Sequence, residues 1–326
     1  MTGHFNRQLK EWLRIPKHIA VIGDVMIDEY LWGKVSRISP EAPVPIVEIT
    51  QEQFRPGGSA NVAFNLKSLN QQVYVYGVVG ADQNGERLRA LLEEQGLNIG
   101  GLIEDDTRPT TVKTRIIGGS QHIARVDKET VREISLDIES KIIQELENQI
   151  ENLDAIVLED YNKGVLTKSL IESVIRLAQE HDVIITVDPK FNHFFSYKNV
   201  TVFKPNKKET EAALQMSLNS REEIEYAGDK LLNMLQCRSV LITLGSKGMA
   251  LFEKDKEPVF IPTEVHEVAD VSGAGDTVIA TITSLLAYGA TVTDAMIAAN
   301  KAAGIVCMQV GVVPITTTQL INAFED

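Results

Sequence analysis

Continuous apolar runs recur along the 326-residue chain, several of them closing on glycine or a polar residue: HIAVIGD (His18 to Asp24), VYVYGVVG, AIVLED, VIITVD, TVFKPN and SVLITLG. Runs of this length predict strands buried on both faces. Between most of them, in ANVAFNLKSL, NGERLRALLEEQG, DIESKIIQELENQI, KSLIESVIRLAQEH, KKETEAALQ and REEIEYAGDKLLNML, apolar positions recur three and four apart, which predicts amphipathic helices. Strand and helix in alternation with short polar joints predict an α/β fold. Its sheet is doubly wound and mostly parallel, with helices on both faces. Ligands of such sheets bind at the carboxyl ends of the strands, where Asp24, Asp28, Glu159, Asp160, Asp188, Asn206 and Thr243 fall.

Two stretches break the alternation, Tyr30 to Gly58 and Thr107 to Glu129. They are rich in β-branched residues, carry Pro40, Pro43, Pro45 and a Gly118-Gly119 turn, and have no helical period. They predict a small inserted β-lid, built from about 29–56 and 107–128, on a single domain spanning 1–326. An apolar lid face needs covering by substrate or by a second subunit, so a homodimer joined through the lid is expected.

Composition narrows the partners. With 44% hydrophobic and 24% charged residues the chain is ordinary and globular, but its formal net charge is -13. No Lys/Arg run offsets that charge, which argues against nucleic acid and against anionic membrane surfaces. Cys237 and Cys307 lie in apolar surroundings without metal-ligand spacing, so inert thiols in a reducing cytoplasm are expected. No apolar stretch reads as a signal-peptide core or a membrane span.

The candidate chemistry lies in DVSGAGDTVIATITSLLAYG. Val278, Ile279, Ile282, Leu285 and Leu286 predict a buried helix beginning near Asp276, preceded by Gly273, Ala274 and Gly275. Amides at a helix start lack intrahelical partners, and small residues let an anion approach them. Asp276 is then either a helix-start acid or a base beside an anion hole. The residues alone leave both open.

Two signatures together resemble the ribokinase family of sugar kinases, also called the PfkB family: RPGGSANVAFNLKSLN, with Gly57, Gly58 and Asn61 in GG-x-x-N spacing, and DVSGAGDTVIA, with KPNKKE between them. GDVMIDEYLWGKVSRISPEAPVPIVEI, TTVKTRIIGGSQHIARVD, EDYNKG and VDPK further resemble the kinase half of bacterial ADP-heptose synthesis enzymes. That half is a D-glycero-β-D-manno-heptose-7-phosphate 1-kinase. The chain departs from the bifunctional members in having no nucleotidyltransferase domain with its His-x-Gly-His motif, and is expected to be a stand-alone kinase. It departs again at His122, where a second Gln is frequent, and at Glu159, where a small residue is common.

The resemblance implies a ribokinase-like fold and ATP-dependent transfer to a sugar phosphate, with Mg²⁺ as cofactor. It makes Asp276 the base and the amides from Gly273 through Ala274 and Gly275 the anion hole. Asp28, Gly57, Gly58 and Asn61 become sugar-binding positions, with Asp160 and Gln121 beside them. The alternative for Gly57-Gly58 is a turn before a helix capped by Ser59. A sugar phosphate requires cations, for which Lys113, Arg115, Arg125 and Arg37 are the candidates. Asn206 and Glu209 would organise Mg²⁺ through water, with Lys207 and Lys208 near the nucleotide; the bland alternative is a helix start with a surface Glu. Thr243, Gly245 and Asn300 match nucleotide-lining positions. Asp270 and Ser272 match a monovalent-cation loop, where K⁺ is the candidate ion.

Overall fold

The computed structural model describes residues 2–119, 121–263, 270–309 and 311–325. Its nine-stranded sheet runs, edge to edge, Val259–Ile261, Met249–Glu253, Ser239–Thr243, Val202–Phe203, Ile184–Asp188, Ala155–Glu159, His18–Gly23, Gln72–Gly80 and Asn98–Asp105. Pairing is parallel except along the Met249–Glu253 edge, where the chain turns back antiparallel twice. The apolar runs become central strands because both of their faces are covered. Ala20 and Ile22 join one buried cluster, with Ile142, Val174 and Leu231 from three helices, whereas Ile19 and Val21 join another, with Ala60 and Ile279. Each such aliphatic side chain contributes roughly 1.5–3 kcal/mol by leaving water.

Local signals set the helix starts. Asp82, Ser135, Thr167, Ser220 and Thr291 each accept a backbone N–H at the head of their helix. TVFKPN yields only Val202–Phe203 as strand, since Pro205 has no N–H for a ladder, yet the line continues as an isolated parallel bridge between Asn206 and Thr243. Among the described residues, helices that the periodicity did not single out are Thr2–Trp12, Val292–Cys307 and Thr317–Asn322.

The lid is a separate four-stranded sheet, ordered Pro45–Gly58, Val25–Ile38, Val112–Gly118 and Gln121–Lys128. Its first strand starts at Val25, directly after Gly23 and Asp24, so Asp28 belongs to the lid sheet itself. Two contacts place the lid over the carboxyl ends of the main strands. Lys113 Nζ lies 5.7 Å from the ring centroid of Tyr161, and Arg55 Nη1 donates to Val312 O at 3.3 Å. No helix among the described residues is long and apolar enough to cross a membrane.

Candidate active site

Asp276 sits in the first turn of the Ala274–Ala287 helix and is buried, yet it does not cap that helix. The N-cap position is Gly273, at φ 79°, and no side chain accepts the free amides there. A side chain at Gly273 would sit strained in that left-handed conformation and 3.0 Å from Asn61 Nδ2. The Asp276 carboxylate turns instead to two donors: Asn61 Nδ2 to Oδ2 at 2.6 Å and Tyr161 OH to Oδ1 at 3.0 Å. Burial pushes its pKa up to about 6, against the Asn61 hydrogen bond, with the Asp188 charge adding to the rise and Tyr161 and Lys204 lowering it. Both oxygens keep a spare lone pair, so a substrate hydroxyl can still donate to either.

Asn61 arrives from the Ser59–Ser68 helix, which packs against the Ala274–Ala287 helix through Asn65, whose Oδ1 accepts from Thr277 Oγ1 at 2.9 Å. The cap of the Ser59–Ser68 helix is Gly58, and Ser59 is its first helical residue with a hydroxyl that has no partner; the reading of Ser59 as a cap fails. Gly57 lies against Asp28, where an added Cβ would meet Asp28 Oδ2 at 2.5 Å. Asp28 is buried and salt-bridged to Arg115 across the lid sheet.

Three strand ends deliver charge to the same place. Glu159, Asp188 and Asp276 each present one oxygen, all within 4.8 Å of one another. Lys204 Nζ bonds Asp188 Oδ2 at 2.7 Å and would stand 3.8 Å from a Cβ at Gly275, beside the open amides. Burial opposes its charge, but Asp188 and Glu159 outweigh that and hold the ammonium form. Lys190, from VDPK, pairs with Glu209 and stands 5.6 Å from the Tyr161 ring centroid. Glu159 is raised well above the usual carboxylate range by burial and by the charges of Asp188 and Asp276.

The remaining candidates fall into groups. Asn206 and Glu209 form a capping box at the Lys207–Leu214 helix, and Glu209 is buried rather than on the surface. Lys207 pairs with Glu211 at 3.6 Å, and Lys208 is exposed. Thr243 bridges Asn206, and Gly245 follows in a short turn. Asn300 donates to Pro262 O at 2.8 Å. Asp270 accepts from the backbone N–H of Ser272 at 2.9 Å and of Gly311 at 3.2 Å, which hold its pKa below the usual range against burial. Asp160 turns away from the base: its oxygens accept from Asn162 N and Tyr197 OH. In the lid, Lys113 is half-buried and its pKa is lowered by burial and by Lys163. Gln121, Arg125 and Arg37 are exposed, and Arg125 pairs with Asp127.

Tyr161, Lys190, Lys204 and Asp188 are the site residues without an assigned role in the sequence reading. EDYNKG, VDPK and KPNKKE carried them, but only the sheet brings these three strand ends side by side.

Residues 16–319 match the pfkB family carbohydrate kinase model. The chain is 42% identical over 301 residues to the bifunctional protein HldE of Citrifermentans bemidjiense, covering 92% of this chain and 62% of that protein. With the bifunctional protein HldE of Helicobacter pylori it shares 43% over 295 residues, covering 90% and 64%. The chain thus spans about three fifths of the length of these relatives. Among solved structures, Arabidopsis thaliana ribokinase complexed with ribose and ATP aligns with TM-score 0.75 at 19% identity, covering 96% of this chain and all of that one. Phosphofructokinase-2 from Escherichia coli in complex with potassium aligns with TM-score 0.77 at 17% identity, covering 95% and 98%. The fold is ribokinase-like, and the chain belongs to the pfkB family of carbohydrate kinases.

Proposed function

We propose that this kinase transfers the γ-phosphoryl group of ATP to the anomeric hydroxyl of D-glycero-β-D-manno-heptose 7-phosphate, giving the 1,7-bisphosphate in the supply of ADP-heptose. The observation that carries the reading is Asp276: a buried carboxylate at a helix start, not used as a cap, oriented by two donors, with a pKa of about 6. Identity above 40% to HldE proteins over nine tenths of the chain supports the sugar class.

The hydroxyl proton passes to Asp276 as the hydroxyl oxygen bonds to the γ-phosphorus and the bond to the ADP oxygen breaks. A positioned base supplies about 10²–10⁴-fold. The amides from Gly273 to Asp276, of which Ala274 N already donates to Val271 O at 3.3 Å, stabilise the charge on the moving phosphoryl group together with Lys204 beside Gly275. Asp28, Gly57, Gly58 and Asn61 hold the sugar. Of the four cations singled out in the sequence, Lys113 and Arg115 are the less exposed and are suited to its 7-phosphate; Arg125 and Arg37, with Gln121, lie further out. Asp160 shapes the loop that carries Tyr161.

Asn206, Lys207, Lys208, Glu209, Thr243, Gly245 and Asn300 serve the nucleotide. Mg²⁺ would neutralise phosphate charge, with Asn206 and Glu209 holding it through water. Asp270 and Ser272 are proposed for a monovalent cation. The lid carries Val35, Ile38, Val44, Ile49 and Val126 exposed, and this apolar face supports a homodimer through the lid. Sedimentation as a monomer at micromolar concentration would count against that pairing.

The sugar assignment is tested by ADP release from Mg-ATP with D-glycero-D-manno-heptose 7-phosphate, fructose 6-phosphate, ribose and adenosine as acceptors. Strong turnover with the heptose phosphate alone is expected; turnover only with another acceptor rejects the heptose and keeps the base.

A further inference from the structure

The resemblance assigns the metal to Glu209, yet both oxygens of that carboxylate already have a partner within the protein. Its Oε1 faces Lys190, and its Oε2 accepts the backbone N–H of Asn206 at 2.8 Å. The unengaged carboxylate of the site belongs to Glu159. It is fully buried, neither oxygen has a hydrogen-bond partner, and it is aimed at the oxygens of Asp188 and Asp276 within 4.8 Å.

A buried carboxylate left without donors costs several kcal/mol, so a native site that keeps one calls for a partner of opposite charge. The local charge points the same way. Glu159, Asp188, Asp276 and Glu209 stand against Lys190 and Lys204, four acidic side chains to two basic ones, a formal charge of -2. One divalent ion would balance the set.

We propose that Glu159 and Asp188 directly ligate a divalent, oxygen-seeking cation of the Mg²⁺ or Mn²⁺ class, beside the first turn of the Ala274–Ala287 helix, and that the ion binds without nucleotide. All the donors are carboxylate oxygens, which suit hard cations. Mg²⁺ bonds of about 2.0–2.1 Å join oxygens up to about 4.2 Å apart, so carboxylate oxygens already within 4.8 Å of one another need to close by no more than about 0.6 Å around the ion. Lys204 keeps Oδ2 of Asp188, and the ion takes Oδ1. Asp276 keeps its bonds to Asn61 and Tyr161 and faces the ion without needing to ligate it. Glu159, a departure from the residue usual at this position, thereby gains a role.

The test is Mn²⁺ titration of the chelator-stripped full chain, free of nucleotide and sugar, followed by loss of the free-ion EPR signal. One Mn²⁺ per chain is expected. Even outer-sphere partners of a metal cost about 10–100-fold when removed, so Glu159→Gln is expected to weaken binding at least about 10-fold. Asp188→Asn should do likewise and carries the test if Glu159→Gln does not unfold cooperatively; Glu209→Gln, which removes at most a partner through water, should weaken binding less than either. Absence of binding without nucleotide overturns the site, as does binding that survives Glu159→Gln and Asp188→Asn. Loss only in Glu209→Gln moves the ion to the capping box and also overturns it. None of these readouts involves turnover, so the kinase reading can fail or stand separately.

Discussion

Asp276 and Arg115 sit on opposite sides of the same site and are held in different ways. Asp276 is fixed by the core: a buried helix start, Asn61 from a second packed helix, and Tyr161 from the loop after Ala155–Glu159. Arg115 is a lid residue whose partner, Asp28, lies on the neighbouring lid strand, and whose guanidinium stands 5.2 Å from the Tyr30 ring centroid. The core side has its donors aimed before substrate arrives. On the lid side the charged groups satisfy one another and must exchange partners to meet a phosphate. Core substitutions should therefore act on kcat, and lid substitutions on KM for the sugar.

Lys204→Met probes the core most severely. It leaves Asp188 without its ammonium, and breaking a buried pair costs about 3–5 kcal/mol, so a large fall in thermal stability is expected together with lost turnover. Arg115→Ala should raise KM for the heptose phosphate roughly 10–100-fold, the worth of a charge-assisted hydrogen bond, with kcat nearly kept. A fall in kcat at unchanged KM would dissolve the division between the two sides.

Tyr161→Phe sharpens it from within the core. Losing one hydrogen bond of about 1 kcal/mol should lower kcat roughly fivefold. It should also move the pH profile. The base works ionised, so kcat/KM falls on the acid side through one ionisation at or below about pH 6, and any bound cation nearby lowers that further. The phenol stabilises the ionised form, so its removal moves the acid limb upward. Arg125→Ala, which removes only an exposed pair with Asp127, should change either constant by less than about twofold.

The same contrast explains what could be read in advance. Central strands such as His18–Gly23 and helices such as Lys168–Glu180 were legible because burial imposes a continuous or a three-and-four pattern. Val292–Cys307 was not singled out, since its many alanines and one glycine blur any apolar stripe. Asn98–Asp105 was not among the apolar runs, because Gly100-Gly101 and the acids at its end interrupt the apolar pattern. At the site, Asp276 with its glycines and Asn61 stood out because their spacing is local. Tyr161, Lys190 and Lys204 matter through contacts between separate strand ends, which no local pattern records. The pairing of Glu209 with Lys190 is likewise a three-dimensional fact.

The most direct measurement is single-turnover phosphoryl transfer by Asp276→Asn, with ATP and heptose-phosphate binding followed calorimetrically on the same preparation. Asn keeps the shape and one acceptor but cannot take the proton, so binding within a few-fold of the parent and transfer slowed about 10²–10⁴-fold are expected. Transfer at nearly the parent rate, with binding intact, would contradict Asp276 as the base.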